Sequence, residues 1–273
     1  MSIISLLRDL RHKRLRKLYF IWVLLGRFYR FIIRNFDIKI TQFIGSYGPF
    51  KMNPEFAFSN YSSWGGQHNR GFDHLISNLK DSKVFFDVGA HIGLVTLPAA
   101  TTMPTDGLVV AFEPSKTNFN HLKSHLKANN LDSKVDLVKT LVGSNNKNRS
   151  FYSNDYENGM NSISPIKKIK GYKFIELNQL SLDSYCERSG NIPQIIKIDV
   201  EGAELDVLKG ANDLIKRFAP TIYLSVHPKH LKALGIETKE LIKYINSIGY
   251  VIKDFEDNIV TKLELNEYLL ENK

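Results

Sequence analysis

Four side chains that can bind or move a proton stand at the ends of two apolar runs. Asp199 ends the run 195–199, Glu201 and Glu204 follow it, and His227 comes directly after the run Thr221–Val226. Carboxylates and imidazoles are the groups that most often serve as general acids and bases. Because open α/β sheets place their ligands beyond the carboxyl ends of the strands, we predict that these four residues border a substrate site.

The same residues also fit structural roles, and both interpretations stay open. Glu201 and Glu204 open a helical pattern, where the helix dipole favours acids whatever the function. His227 precedes Pro228, so it also fits the closing of a turn. Asp199, Glu201 and His227 are of types that ligate metal ions, but their spacing is not a compact ligand motif, and we predict no metal site.

A glycine-containing turn earlier in the chain predicts a nucleotide-like ligand. The apolar run Val84–Val88 leads straight into a turn with Gly89 and Gly93, and a helical pattern follows. Glycines let the backbone pass close to a ligand, and free N–H groups at a helix start favour a carboxylate or a phosphate. Tight strand-to-helix turns also need glycine for steric reasons, so the turn is weak evidence by itself.

A carboxylate at the end of the next strand pattern strengthens this prediction. Glu113 follows Leu108–Phe112, and an acid at this place can accept hydrogen bonds from both hydroxyls of a ribose. A dinucleotide site would require Gly-x-Gly-x-x-Gly, whereas His91 stands where the second glycine of that motif belongs. S-Adenosylmethionine has no pyrophosphate, so the wider turn suits it better.

Strand and helix patterns alternate from about residue 81 onward, which is typical of a parallel sheet with helices on its faces. We predict strands at Val84–Val88, Leu108–Phe112, 135–142, 195–199, Thr221–Val226 and Tyr250–Lys253, and helices at 93–102, 116–129, 204–218 and 238–248. Before them, 37–41 and 56–58 alternate like short strands, and 70–80 has helical spacing. Between residues 151 and 180 the pattern is irregular, and we expect a substrate-recognition loop there.

A second motif, between Leu182 and Gly210, carries a family resemblance. Leu182-Asp183, then Lys197-Ile198-Asp199-Val200-Glu201-Gly202-Ala203-Glu204 and Leu208-Lys209-Gly210, resembles the pattern of the FkbM methyltransferases almost letter for letter. The resemblance covers roughly residues 80–253. It implies the class I Rossmann-like methyltransferase fold, an α/β architecture with a seven-stranded, mostly parallel sheet and helices on both faces.

The resemblance also implies S-adenosyl-L-methionine as the cofactor. By this resemblance, Glu113 would bind the ribose of the cofactor. The residues that would line its methionine end are Asp87, Gly89, His91 and Gly93. The chain departs from the family pattern at two positions: His91 stands where Asn is usual, and Ser225 where Glu is frequent. The first side chain still forms hydrogen bonds, whereas the second change removes a candidate acid from the site.

Methyl transfer from a sulfonium is an in-line displacement, so the protein mainly holds the acceptor about 3 Å from the methyl group and removes its proton. A hydroxyl acceptor needs a base, and Asp199 is the first choice for the base or the acceptor-orienting residue. The resemblance favours O-methylation of a sugar hydroxyl in a glycan or a lipid-linked saccharide.

Other functions are weighed against this one. Nucleobase amino-methylation would need an Asn/Asp-Pro-Pro-Tyr/Phe loop in place of Asp199-Val200-Glu201-Gly202, and cytosine C5 chemistry would need a cysteine better placed than Cys186. A nucleic-acid acceptor is therefore not expected, while other small-molecule acceptors stay open. An alternative from another class of function is a non-catalytic protein that retains the fold and docks on a membrane or partner. The evidence against this alternative is that the site residues are intact: Gly89, Gly93, Glu113 and Asp199.

Nearly all of the net charge lies in the first 36 residues. The chain carries 37 basic and 28 acidic residues, a net charge of +9. Residues 1–36 hold nine of the basic side chains and one acid, which leaves 28 basic and 27 acidic residues for positions 37–273.

The same segment is predicted to be neither a membrane span nor a signal peptide. Its apolar run 18–25 is shorter than the roughly 20 residues of a membrane span, and no small-residue cleavage site follows it.

We predict that residues 1–36 form a basic amphipathic helix. Arginines would lie along one side and aromatic and aliphatic side chains along another: Arg27, Arg30 and Arg34, and Phe28, Ile32 and Phe36. Such a helix suits peripheral contact with an anionic membrane, and packing on its own domain or a second subunit is the alternative.

The predicted organisation is this segment 1–36, a connecting cap at 37–80 and a methyltransferase domain at 81–273. The single cysteine cannot form an intrachain disulfide, so nothing in the chain exploits an oxidising compartment. A cytoplasmic location is expected, with peripheral attachment to the inner face of a membrane.

Overall fold

The computed structural model of the protein describes residues 38–66, 69–154 and 172–273. The predicted amphipathic segment 1–36 lies outside these residues. Within the described ranges, no helix combines the length and the apolar character that crossing a membrane requires.

Twelve strands and eight α-helices are formed by the described residues. The strands are β1 (Ile40–Ile44), β2 (Tyr47–Met52), β3 (Val84–Val88), β4 (Leu108–Phe112), β5 (Val135–Val138), β6 (Leu141–Val142), β7 (Asn148–Asn154), β8 (Tyr172–Leu180), β9 (Ile195–Ile198), β10 (Thr221–Val226), β11 (Tyr250–Lys253) and β12 (Asn266–Asn272). The helices are α1 (Phe72–Asn78), α2 (Thr96–Thr102), α3 (Lys116–Ala128), α4 (Leu182–Ser189), α5 (Glu204–Lys209), α6 (Asn212–Phe218), α7 (Pro228–Ala233) and α8 (Thr238–Ser247).

Seven of these strands form the central sheet, in the order β11-β12-β10-β9-β3-β4-β5. The neighbours from β10 to β5 pair in parallel, and β12 pairs antiparallel with both β10 and β11. This is the seven-stranded, mostly parallel sheet that the family resemblance implies, and the predicted fold class is confirmed. The chain order reverses between β3 and β9, which makes their junction the switch point where α/β sheets bind ligands.

The registers of the inner strands bring their carboxyl ends level. Val88 at the end of β3 lies opposite Phe112 of β4 on one side and Ile198 of β9 on the other. The next residues along each strand therefore emerge side by side: Gly89 after β3, Glu113 after β4 and Asp199 after β9. Residues far apart in sequence meet at one edge of the sheet.

The apolar residues of β3 show how the core is divided. Phe85 and Phe86 are fully buried, and since successive side chains of a strand point to opposite faces, they enter different clusters. Phe85 packs in the cluster that also contains Met52 of β2 and Phe72 of α1. The cap segment thus completes the core on one face of the sheet.

Several predicted elements differ from those observed. The predicted strand 135–142 is split into β5 and β6, and the predicted helix 204–218 is interrupted near Gly210. A Cβ at Gly210 would lie 2.0 Å from the carbonyl oxygen of Gly143, so glycine is needed at this interruption for close approach to the backbone that follows β6. Residues 56–58 do not form a strand, because Asn53 caps a 3₁₀ turn at Pro54–Phe56 through the N–H of Glu55.

The interval 151–180 was predicted as an irregular recognition loop, but strands lie at both of its ends. β7 and β8 pair antiparallel from Asn148 opposite Asn178 to Asn154 opposite Tyr172, and β6 joins the outer side of β8. Two adjacent apolar residues, Phe174-Ile175, and two adjacent polar residues, Asn178-Gln179, break the strict alternation within β8, so the sequence pattern does not indicate a strand. Residues 155–171 lie outside the described ranges.

Candidate functional site

A cavity of about 320 Å³ lies at the switch point, beyond the carboxyl ends of β3, β4 and β9. The described residues around it come from the glycine turn, the ends of β4 and β9, the cap, and the β5–β7 region. They include Asp87, Gly89, His91, Glu113, Lys197, Asp199, Glu201, Trp64 and Phe151. Segments that are remote in sequence, before β3 and after β5, supply its outer walls.

The glycines of the turn after β3 are required by backbone geometry. Gly89 and Gly93 have φ of +90° and +97°. A Cβ at Gly89 would lie 2.0 Å from the carbonyl oxygen of Asp199, and one at Gly93 would lie 2.6 Å from Leu122 Cδ1. Both glycines therefore have the steric role considered above, and the turn that they permit also borders the cavity.

Glu113 lies at the centre of a network of hydrogen bonds. Its side chain is 4% exposed, and it accepts hydrogen bonds from the N–H of His91 at 2.9 Å, the N–H of Ser115 at 2.8 Å and the side-chain amide of Asn118 at 3.4 Å. Burial raises the pKa of Glu113 to about 7, although these donors act in the opposite direction. The carboxylate is thus fixed against the turn at the edge of the cavity.

His91 acts in this network through its backbone, which the residue type alone did not indicate. Its φ is +51°, a conformation in which only a few per cent of non-glycine residues are found. The strained turn directs its N–H to Glu113. Burial lowers the pKa of the imidazole to about 4, so the side chain is neutral near pH 7.

Asp87 is a fully buried acid, and one of its two carboxylate oxygens has no hydrogen-bond partner among the described residues. Thr96 Oγ1 donates a hydrogen bond to its Oδ2 at 2.6 Å, whereas Oδ1 has no hydrogen-bond partner among the described residues. Burial raises the pKa of Asp87, and the charge of Lys197 opposes that effect. A buried acceptor in a residue that lines the cavity fits a ligand that brings its own donor, such as an ammonium group.

Asp199 lies between two basic side chains. Lys197 Nζ donates a hydrogen bond to its Oδ2 at 3.0 Å, and His227 Nε2 lies 3.7 Å from its Oδ1. Burial alone would raise the pKa of Asp199, but the charges of Lys197 and His227 outweigh it and the pKa is lowered. The carboxylate therefore stays ionised, which suits it to accept a hydrogen bond more than to keep a proton.

His227 is held by the buried carboxylate of Glu204. Its Nδ1 lies 2.8 Å from Glu204 Oε1, and the same oxygen accepts a hydrogen bond from the N–H of Gly202. Burial would lower the pKa of His227, but the hydrogen bond with Glu204 and the charge of Asp199 raise it overall. A carboxylate on one ring nitrogen orients the other, so His227 is directed toward Asp199.

Glu201 differs from the other three predicted catalytic residues. It lines the cavity with φ of +46°, and its Oε2 lies 3.7 Å from Nε2 of His230. Non-glycine residues in this conformation cost of order 1–3 kcal/mol and are concentrated at functional sites. The structure thus joins Asp199, Glu204 and His227 in one cluster, of which Asp199 lines the cavity, and it places Glu201 on the cavity wall as well.

Sequence interpretation did not single out two residues that hold the site together. Lys197 belongs to the family motif, yet the sequence of an apolar run does not indicate which residues a lysine within it contacts.

His125 on α3 has no sequence signal that indicates its role. Its Nδ1 donates to the carbonyl oxygen of Ile92 and its Nε2 accepts from the N–H of Asn53, both at 2.9 Å. His125 therefore fastens the cap to the glycine turn.

A carboxylate lies beside Ser225, although Ser225 stands where the family frequently has Glu. Glu267 of β12 lies directly opposite Ser225 in the antiparallel register. Its Oε1 lies 3.5 Å from Ser225 Oγ, and its Oε2 accepts a hydrogen bond from the N–H of Gly71 at 2.9 Å. The carboxylate absent from β10 is thus present on the adjacent strand.

Comparisons with known proteins point to methyltransferases. A model of the methyltransferase FkbM domain matches residues 87–252. Methyltransferase 1 of Beauveria bassiana is 25% identical over 155 residues, which are 50% of this chain and 62% of that protein. The hexuronic acid methyltransferase AglP of Haloferax volcanii is 28% identical over 192 residues, which are 65% of this chain and 73% of that protein.

A solved structure, the methyltransferase FkbM from Methylobacillus flagellatus, superposes with a TM-score of 0.46 at 20% identity, covering 70% of this chain and 44% of that one. The chain thus spans less than two thirds of some of the proteins that it matches. The domain match covers more than half of this chain and includes the glycine turn, Glu113 and the Asp199 cluster. The chain belongs to the FkbM family of S-adenosylmethionine-dependent methyltransferases.

Proposed function

We propose that this protein transfers a methyl group from S-adenosylmethionine to a hydroxyl of a sugar, in a glycan or a lipid-linked saccharide. The observation that carries the proposal is the cavity at the switch point, which two buried carboxylates and one partly exposed carboxylate border from three neighbouring strands. Glu113, Asp87 and Asp199 together suit a ligand that presents hydroxyls and positive charge and no phosphate.

The donor set fits the cofactor group by group. Glu113 lies where it can accept hydrogen bonds from ribose hydroxyls, and the spare acceptor of Asp87 suits the ammonium of the methionine end. The glycine turn, in which Gly89 and Gly93 leave no room for a Cβ, lets Gly89 border the same cavity. When bound, S-adenosylmethionine supplies an electrophilic methyl group on a sulfonium.

The residues on the acceptor side divide the work of orientation and proton removal. Asp199, kept ionised by its ion pair with Lys197, can accept a hydrogen bond from a hydroxyl and hold it in place. His227, oriented by Glu204, can in its neutral form take up the proton that leaves the hydroxyl, because an imidazole beside the acceptor is a suitable general base.

A sugar acceptor is supported by the relative AglP, whose name gives hexuronic acid as its substrate. The cavity wall is consistent with a polar acceptor, since Asp199 and Glu201 face it beside the aromatic ring of Trp64. The lack of a phosphate-type glycine motif agrees with a ligand without pyrophosphate.

Two measurements test the proposal in order. Calorimetric titration with S-adenosylmethionine and with S-adenosylhomocysteine should show binding of both, and absence of binding would leave a non-catalytic docking protein. Radiolabelled methyl transfer should then be screened with extracted glycolipids and polysaccharides, with the variant Asp199→Asn as the inactive control. Label found in nucleic acid or in small non-sugar molecules, and none in saccharides, would overturn the sugar assignment.

A further inference from the structure

Glu267 reaches the site from the C-terminal strand, beyond the part of the chain that the family domain covers. It sits on β12, the single antiparallel strand of the central sheet, opposite Ser225 on β10. Its carboxylate is fastened at both oxygens, by the N–H of Gly71 and by the Ser225 hydroxyl. Glu267 thus links the segment before α1 with the sheet edge that carries the site.

Glu267 lies near Lys197 in the structure. Together they line a small cavity, and Lys197 also lines the main cavity, so Lys197 lies between Glu267 and the ligand site. Lys197 is 5% exposed. A buried ammonium is strongly disfavoured unless carboxylates compensate its charge.

The negative charges of three carboxylates favour this ammonium, one of them in direct contact with it. Asp199 accepts its hydrogen bond at 3.0 Å, and the charges of Asp87 and Glu267 also act on Lys197. Asp87 is fully buried and already accepts a hydrogen bond from Thr96, and Asp199 faces the cavity where a ligand competes for it. Glu267 is the member of this set that no cavity ligand is expected to contact.

We propose that Glu267 is a positioning residue of the methyltransferase site: it holds the Lys197 ammonium in the buried place from which Lys197 binds Asp199. It acts through Lys197 and does not touch the reacting atoms. This inference rests on the proposed function, since it assigns to Glu267 a part in organising that same cavity.

Relocating the carboxylate separates this role from simple packing. Residues directly opposite each other in an antiparallel pair have Cβ atoms about 5 Å apart. The double variant Ser225→Glu with Glu267→Ser therefore moves the acid by one strand while it still borders the same small cavity. If charge beside Lys197 is what matters, the double variant should recover what Glu267→Ser loses.

The readout is calorimetric binding of S-adenosylhomocysteine, with melting temperatures to confirm folding. We expect Glu267→Gln and Glu267→Ser each to weaken binding about tenfold, because Lys197 itself lines the cavity and its charge also acts on Asp87, and we expect the double variant to return to within about threefold of the parent. The matched control Glu264→Gln, on an exposed carboxylate paired with Lys262, should bind like the parent. Parent-like binding by Glu267→Gln, or a folded double variant as weak as Glu267→Ser, would overturn the proposal.

A second readout does not depend on any cofactor. Nitrogen-detected NMR of the lysine ammonium groups, with Lys197 assigned by the variant Lys197→Met, should show that the pKa of Lys197 falls in Glu267→Ser and returns in the double variant. An unchanged Lys197 pKa in Glu267→Ser would contradict the inference. A parent protein that binds no S-adenosylhomocysteine yet shows the expected Lys197 shifts would contradict the proposed function and leave the role of Glu267 intact.

Discussion

Replacing Glu113 by Gln changes one buried carboxylate into an amide of the same shape. In the parent, Oε1 accepts the N–H of Ser115 and Oε2 accepts the N–H of His91. The amide of Gln retains one acceptor oxygen and presents its NH₂ group to the other backbone N–H. One buried donor of the turn therefore loses its partner, and the ligand site loses its negative charge.

The magnitude follows from these contacts. A buried donor without a partner costs about 1–3 kcal/mol, which should appear as lost stability of the folded protein. For the cofactor, loss of hydrogen bonds from the ribose hydroxyls to a charged partner should weaken binding by about 1.5–3 kcal/mol, or roughly 10- to 150-fold.

The pH dependence gives an independent signature. Burial raises the pKa of Glu113 from 4.5 to about 7 in the folded protein. The folded state thus binds the proton more tightly than the unfolded state, so this group stabilises the fold below pH 4.5 and loses that contribution as pH rises through 7. The difference amounts to about 3 kcal/mol at most, and Glu113→Gln should lack it.

The assay is calorimetric binding of S-adenosylhomocysteine from pH 5.5 to 8.5, beside denaturant unfolding at the same pH values. In the parent, affinity should rise with pH through about 7 as the carboxyl ionises, and Glu113→Gln should lack this step. The control Asp106→Asn alters an exposed acid at the opposite end of β4 and should behave like the parent. Unchanged affinity in folded Glu113→Gln would remove Glu113 from the cofactor site.

Three further predictions address other parts of the protein. Asp199→Asn should retain cofactor binding and lower kcat by at least about 100-fold in the methyl-transfer assay, and near-normal turnover would move its role to Glu201, Glu204 or His227. Gly89→Ala should lower the free energy of unfolding by about 2 kcal/mol or more, because its Cβ would collide with the Asp199 carbonyl; Gly190→Ala, at a similar positive φ with no atom within 4 Å, is the control and should lose less. Deleting residues 1–36 should spare cofactor affinity and abolish salt-sensitive co-sedimentation with anionic vesicles, to which each basic side chain near the membrane adds about 1 kcal/mol. Full-length protein that ignores anionic vesicles at low salt would favour a packed or subunit-bridging helix.

Much of the site could be predicted from sequence because its markers are local. The strands β3, β4 and β10 appear in sequence as short apolar runs that end at glycine, acid or imidazole, and their predicted bounds agree with the structure. A parallel sheet brings strand ends to one edge, so Glu113 and Asp199 could be placed near each other without coordinates. The family match is consistent with those motifs.

The roles of the individual acids could not be predicted in the same way. Glu204 and His227 were both candidates for chemistry, but the hydrogen bond between them depends on how α5 sits against the end of β10. Asp199 was the first choice for the base or the acceptor-orienting residue, and its position between Lys197 and His227, which lowers its pKa, favours the second of these roles. Such pKa values depend on distances that no sequence spacing encodes.

The sequence by itself determined the fold class, the family and the segments that border the cavity, since a glycine turn, a strand-end acid and a family motif are properties of short segments. The tertiary structure decided which of these groups form ion pairs and hydrogen bonds with one another. β12 inserts antiparallel between β10 and β11, and only that pairing carries Glu267 opposite Ser225 and toward Lys197. Non-local strand pairing depends on the packing of the whole sheet, which is why the acid absent from β10 could be recognised on β12 only once the fold was known.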